Sequence, residues 1–307
     1  MPELPEVEHL RRTLVPLLVG RSVTQATLHR RDVAVGPDDP PGGFARQRSQ
    51  VRPSRLSTAQ MLADARIQGI YRRGKLLAVV SRDGRALGIH LGMSGQVLWS
   101  PRRGALPRDH VHATWRLDDG SRFVFRDPRR FGGLWMAASY ETLPLWTRLG
   151  PDALMISPKD FAARLTPAKR PIKAALLDQG LVAGIGNIYA DEALHRAGLH
   201  PCRLASTLAL DQLELLGSCV TALLEAAVEA GGSTLRDYRA AQGQAGGYQR
   251  LHRVYGRSGE DCLSCGTPLA SGRVAQRMTV WCPNCQPEWR DSKSSASGSS
   301  ALGPLSL

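Results

Sequence analysis

Four cysteines near the C-terminus fall into two close pairs, Cys262-x2-Cys265-x16-Cys282-x2-Cys285. Each pair can present two thiolates to one ion, and two such pairs complete a tetrahedral four-sulfur zinc site. Gly266 and Pro283 suit the tight turns this needs. Four protein ligands leave no open coordination position, so the expected cofactor is one structural Zn2+. The chain must therefore carry a small metal-held module, placed at residues 256–286. Between the pairs, GTPLASGRVAQRMTVW reads as a β-hairpin with Arg273 and Arg277 at its tip or flank, either offered to DNA or simply solvated. Cys202 and Cys219 stand alone, and cysteine use of this kind fits a reducing compartment.

The remaining chain changes character near residue 150. Residues 5–19 place Val7, Leu10, Leu14, Leu17 and Leu18 on one helical face, with Glu3, Glu6 and Glu8 where a helix N-terminus favours negative charge. From 20 to 140, short β-rich runs alternate with Gly and Asp-Gly turns (RSVTQATLH, RIQGIYRRGKLLAVVS, LGIHLGMSGQVLW, HATWRLDDGSRFVFRD), which argues for a β-sandwich or a barrel. Residues 36–55 are rich in Pro, Gly and Arg and read as an insertion. Beyond 150 the pattern is helical: PKDFAARL, PIKAALLDQ, NIYADEALHRAG and LALDQLELLGSCVTALLEAAVEAGG. The fold class is therefore α+β. The tail from Asp291 is Ser/Gly-rich and reads as disordered. Its 307 residues suffice for two cores.

Charge points to the partner. Forty Lys and Arg against 27 acids give a formal +13, which favours a polyanion; an Arg-rich solvated surface is the alternative. No apolar run approaches the roughly 18 residues of a membrane span, and MPELPEVEHL lacks the pattern of a signal peptide. A cytoplasmic location without membrane contact is expected.

MPELPEVE at the start, DPRRFG at 127–132, GLVAGIGNIYADEALHRAGLHP at 180–201, and VYGRSGEDCLSCG with RMTVWCPNCQ between 254 and 286 resemble the bacterial formamidopyrimidine-DNA glycosylases. The motifs run in the family's order over nearly the whole chain. The resemblance implies an N-terminal catalytic β-sandwich with flanking helices (1–140), a helical helix–two-turn–helix domain (150–255), the zinc finger (256–286) and a tail (291–307). It implies a monomeric bacterial enzyme of base excision repair, acting at the nucleoid on double-stranded DNA with oxidised bases or abasic sites. Such an enzyme is both a glycosylase for 8-oxoguanine and formamidopyrimidines and a lyase that cuts the strand by β,δ-elimination.

The resemblance also implies that Met1 is removed, which exposes Pro2 as a secondary amine. An α-amino group titrates at roughly pH 8, so an unprotonated fraction is available to attack C1′ of the deoxyribose. Glu3 matches the acid that protonates the sugar ring oxygen. Glu6 resembles a second acid that organises water and the iminium; an ordinary first-turn helix acid is the other reading. Lys75 matches the pocket lysine, and Arg277 the arginine of the second elimination. Phe131 resembles the side chain wedged into the duplex, Arg129 or Arg130 and Met93 those that fill the space left by the everted base; core packing is the alternative for Met93 and Phe131. Phosphate contacts carry over to His110, Arg130, Lys169, Asn187 and Arg277, with Lys173 and Tyr189 as further candidates. Asn187 opens a helix whose backbone N–H groups would face an anion.

Two departures from the family pattern stand out. The segment covering the everted base, usually Gly-Tyr-Phe-Gln, reads Gly246-Gly247-Tyr248-Gln249, and the 36–55 insertion is long. His9 replaces a common threonine. Two other functions remain in play: an endonuclease VIII-type glycosylase for oxidised pyrimidines, and a non-catalytic zinc-finger DNA-binding protein. DPRRFG and Met93 favour the purine branch, and PELPEVE has no place in a simple binding module.

Overall fold

A computed structural model describes residues 2–34, 61–233, 241 and 246–288; the 36–55 insertion, the tail and Met1 lie outside the described residues. Helix α1 (Leu4–Leu18) follows the predicted apolar face. Val7, Leu10, Leu14 and Leu18 enter the core of the N-terminal domain, while Leu4 belongs to the core of the helical domain. One helix thus contributes to both cores, with the expected catalytic acids at its N-cap (Glu3) and in its first turn (Glu6).

The N-terminal domain resolves the choice between sandwich and barrel. Its strands are β1 (Val23–Leu28), β2 (Ile67–Arg73), β3 (Leu76–Ser81), β4 (Ala86–His90), β5 (Gln96–Ser100), β6 (Val111–Leu117), β7 (Arg122–Arg126) and β8 (Gly133–Ala137). They form two separate four-stranded sheets, β1-β6-β7-β5 and β2-β3-β4-β8, every pair antiparallel. Alternation sends Ala113, Trp115 and Leu117 of β6 inward and leaves Arg116 exposed. Trp115 stacks on Phe123 of β7 at 4.6 Å. In β3 the run LLAVVS is buried throughout, because Leu143, Leu145 and Trp146 cover the outer face of its sheet; a strand covered on both faces reads as continuous apolar sequence.

The helical domain comprises α2 (Pro158–Leu165), α3 (Ile172–Leu176), α4 (Asn187–Arg196) and α5 (Leu210–Glu229). Gly217 lets α5 approach Phe161 of α2, where a Cβ would lie 3.1 Å from the ring. Strands β9 (Ala270–Val274) and β10 (Arg277–Trp281) form the expected hairpin of the cysteine module. Ala275 and Gln276 at its turn both have positive φ, as a two-residue hairpin turn of the I′ kind requires. Arg273 and Arg277 therefore flank the tip. Among the described residues, no helix is long and apolar enough to cross a membrane.

The N-terminal and helical domains are locked by Arg72. Its guanidinium contacts Glu8 of α1 at 2.9 Å and both oxygens of Asp152, at 2.5 and 3.0 Å. Asp152 also accepts from the Gly74 N–H at 2.7 Å.

Candidate active site and nucleic-acid interface

The first turn of α1 sets the expected catalytic acids against α4. Glu3 donates its N–H to Glu6 Oε2 at 2.7 Å. Its own carboxylate accepts from the N–H of Ile188 at 3.0 Å and of Tyr189 at 3.5 Å. Gly186 makes this approach possible, since a Cβ there would lie 2.2 Å from the Glu3 carboxyl carbon. The free N–H groups expected to face phosphate at this helix start are thus occupied by the Glu3 carboxyl. Asn187 itself turns its Nδ2 to the carbonyl of Met278 at 2.9 Å, across to the zinc hairpin.

Glu6 is 1% exposed. It accepts from the Tyr189 hydroxyl and from the Ser233 N–H, each at 2.6 Å. Burial and the neighbouring Glu3 push its pKa up, against these hydrogen bonds. Gly232 has positive φ and abuts the Glu6 carboxyl, with a Cβ position 2.7 Å from Oε1. Lys75, just after the tight turn at Gly74, is also buried; burial lowers its pKa, Glu3 and Glu6 oppose that, and Arg277 reinforces it. Pro2 is buried beside Glu3. Glu3, Glu6 and the hairpin residue Arg277 thus converge on Lys75, although they come from the start of α1, the β2–β3 turn and the metal module, and Pro2 adjoins Glu3 in the chain.

A buried polar latch holds the hairpin in place. Lys173 on α3 is fully buried and pairs with Asp191 of α4 at 2.6 Å. Its Nζ donates to Thr279 Oγ1 at 2.7 Å and to the Met278 carbonyl at 3.1 Å. Asp191 also accepts from the Val280 N–H at 3.2 Å. Burial pushes the Asp191 carboxyl up to about 7 against the pull of Lys173. Lys173 and Tyr189, candidates for phosphate contacts, are therefore committed to internal bonds and closed to solvent.

Met93 lies in the β4–β5 turn and Phe131 in the β7–β8 loop. Neither joins a hydrophobic core, and both are half-buried. The two loops touch through their backbones: a Cβ on Gly92 would sit 2.4 Å from the Phe131 carbonyl carbon, and one on Gly132 2.5 Å from the His90 oxygen. Asp127 staples them. It is fully buried and accepts from Ser94 Oγ at 2.6 Å and from the Gly132 N–H at 2.8 Å. Sequence reasoning assigned no role to Asp127 or Ser94, though Asp127 opens the DPRRFG motif and Ser94 stands between Gly92 and Gly95, glycines that mark a close approach. Arg129 is exposed and lies 4.6 Å over the Phe131 ring. Arg130, at positive φ, pairs with Asp32 at 2.9 Å, so a phosphate there would compete with that carboxylate. His110 and Lys169 are exposed, the latter between α2 and α3.

The four cysteine sulfurs lie within 4.8 Å of one another. Sγ of Cys262 accepts from the Ser264 N–H at 3.4 Å, and Sγ of Cys282 from the Cys285 N–H at 3.3 Å. Amide N–H groups aimed at sulfur suit thiolates, and an all-sulfur tetrahedral donor set suits zinc. Cys262, Cys265, Cys282 and Cys285 are the ligands of one structural zinc ion. Gly246 fits against the carbonyls of Gly231 and Gly232, where a Cβ would lie 2.2 Å from the latter. Tyr248 packs inward on Tyr189 with ring centroids 5.9 Å apart, so this departure from the family pattern is a core side chain.

The formamidopyrimidine-DNA glycosylase N-terminal domain matches residues 1–134, the formamidopyrimidine-DNA glycosylase H2TH domain residues 149–239, and the zinc finger found in FPG and IleRS residues 259–287. The formamidopyrimidine-DNA glycosylase of Thermomicrobium roseum is 43% identical over 94% of this chain and 99% of its own length. That of Geobacillus kaustophilus is 40% identical over 93% of this chain and its full length. The crystal structure of MutM (FPG) from Thermus thermophilus is 40% identical and superposes with a TM-score of 0.79, covering 94% of this chain and all of that one. The Lactococcus lactis Fpg, solved with DNA containing an abasic site, is 32% identical with a TM-score of 0.78 over the same shares. The chain belongs to the formamidopyrimidine-DNA glycosylase family.

Proposed function

We propose that this chain is a bifunctional DNA glycosylase and abasic-site lyase of base excision repair, with Pro2 as its nucleophile. Its substrates are oxidised purines, 8-oxoguanine and formamidopyrimidines, in duplex DNA. The observation that carries this reading is the buried acid pair Glu3–Glu6, set beside Pro2 and facing Lys75. Each carboxyl is hydrogen-bonded, but burial and Glu3 push the Glu6 pKa up, and a buried acid pair of this kind facing a buried lysine suits acid–base chemistry. A DNA-binding module without chemistry has no need of such a cluster. The altered capping segment leaves the ranking among purine lesions to experiment, and a panel of single-lesion duplexes separates this activity from one on oxidised pyrimidines.

With Met1 removed, the Pro2 nitrogen bonds to C1′, and the damaged base departs with the C1′–N bond electrons and takes up the proton that the Pro2 nitrogen sheds. Glu3 gives its proton to the ring oxygen, the C1′–O4′ bond opens, and C1′=N+ forms. The iminium acidifies C2′; loss of that proton expels the 3′ phosphate, and a second elimination expels the 5′ phosphate with Arg277 at hand. Glu6, fixed by Tyr189 and Ser233, holds the pocket water and faces the iminium charge. Phe131 wedges into the duplex beside the lesion and Met93 and Arg129 fill the space of the everted base, while His110, Arg130, Lys169, Asn187 and Arg277 contact phosphates. The enzyme acts as a monomer on nucleoid DNA in the bacterial cytoplasm.

Borohydride trapping tests the nucleophile. On abasic duplex DNA the reduced iminium will leave a covalent adduct, and peptide mapping will place the sugar remnant on the N-terminal peptide beginning at Pro2. An adduct on Lys75, or full activity with Met1 retained, rules the mechanism out.

The wedge loops carry a separate expectation. Met93→Ala and Phe131→Ala will each slow excision of 8-oxoguanine from a duplex by roughly tenfold, a share of the few kcal/mol that unstacking a base step costs. Cleavage of a preformed abasic site, which has no base to evert, will change far less. Equal losses on the two substrates would assign both side chains to structure alone.

A further inference from the structure

We propose that His195 donates a hydrogen bond to the zinc-bound thiolate of Cys262, tying the metal centre to α4 and slowing loss of the metal. This rests on the zinc assignment above. His195 stands in the last turn of α4 and is 6% exposed. Its Nε2 lies 3.5 Å from Cys262 Sγ, within the longer reach of hydrogen bonds to sulfur.

Chemistry fixes the direction of this bond. A zinc-bound thiolate carries no proton and can only accept, so the nitrogen facing it must bear the hydrogen. Nδ1 is buried and has no partner among the described residues. The opposite tautomer would bury an N–H without an acceptor and turn a lone pair towards a negative sulfur, two unfavourable contacts at once. The Nε2–H tautomer removes both.

The need for such a donor follows from charge. Zinc with four thiolates carries a net charge of −2, and N–H groups aimed at the sulfurs spread that charge. The backbone supplies one to Cys262 from Ser264 and one to Cys282 from Cys285. His195 is a side-chain donor to this cluster from outside the finger. Partners of this kind hold metal ligands in place, and their loss typically costs about 10- to 100-fold in metal affinity. The position has a second consequence. The first turn of α4 cradles Glu3, so the two ends of one helix engage the zinc centre and the catalytic acid. His195 is a positioning residue for the metal and touches no substrate.

Zinc release from purified holoenzyme to an excess of a chromogenic chelator separates hydrogen bonding from packing. His195→Phe keeps an aromatic ring in the cavity but has no donor. His195→Gln has less bulk but can place an N–H near Nε2. The Phe variant will release zinc about 10- to 100-fold faster than wild type, and the Gln variant will stay near wild type. Release from the Phe variant as slow as from wild type, or from the Gln variant as fast as from Phe, overturns the proposal. Wild-type protein that carries no zinc would overturn it together with the metal assignment, and metal analysis before any variant is compared reveals that case.

Discussion

Glu3→Gln will lower the rate of 8-oxoguanine excision by about 10²- to 10⁴-fold, the usual contribution of a positioned general acid. Glutamine keeps the length of the side chain and an oxygen that can accept from Ile188, so the seat at the start of α4 is preserved. It cannot deliver the proton that opens the sugar ring. The same enzyme will retain most of its trapping and strand cleavage on a preformed abasic site, because that sugar already equilibrates with its open aldehyde. Single-turnover rates on the two substrates, measured beside thermal unfolding, check this. Equal losses on both with an unchanged melting temperature would show that Glu3 serves the lyase step as much as base release. Loss of stability in proportion to activity would instead mark it as a cap of α4.

The parts of this site differed in how far the sequence revealed them. The zinc site was legible because two Cys-x2-Cys pairs encode ligand geometry locally. Helix α1 was legible because its apolar spacing is periodic, and most strands because alternation and Asp-Gly turns mark them. Strand β8 went unnamed: GLWMA follows directly on the DPRRFG loop and has no turn signal of its own. The polar pairings escaped for another reason. Glu6 with Ser233, Asp127 with Ser94, Lys173 with Thr279 and Arg72 with Asp152 join positions 33 to 227 residues apart. No periodicity links such residues; only the folded topology does. Lys173 shows how this misleads. The family resemblance offers it as a further candidate for a phosphate contact, yet burial and Asp191 claim it. The glycines left a usable trace, since Gly92, Gly132 and Gly186 each mark a place where a Cβ would strike backbone or the Glu3 carboxyl.

Arg72→Ala will destabilise the protein by about 3–5 kcal/mol, the usual cost of removing one partner from a buried charged cluster. The Arg72 side chain is 7% exposed, and its partners Glu8 and Asp152 are 9% and 11% exposed. Deleting the cation leaves two carboxylates nearly out of water, with only Arg11 and the partly exposed Arg12 still pairing with Glu8. A pH series exposes the same lock in the wild type. Burial raises the Glu8 pKa, but hydrogen bonds from Arg11 and Arg72 outweigh it and bring the value to about 2, below the ordinary 4.5. A carboxyl depressed in this way stabilises the fold fully above its unfolded pKa and loses that contribution as pH falls towards its folded pKa. Wild-type stability from this source will therefore decline between about pH 4.5 and 2. Arg72→Ala, with Glu8 released upwards, will show a shallower decline over that window. Glu8→Gln combined with Arg72→Ala will cost less than the sum of the two single changes, as coupled neighbours do. Urea unfolding across the pH series measures all three quantities. An Arg72→Ala protein within about 1 kcal/mol of wild type at neutral pH, against the buried-pair expectation, would show that the apolar contacts of α1 hold the two domains together without the lock.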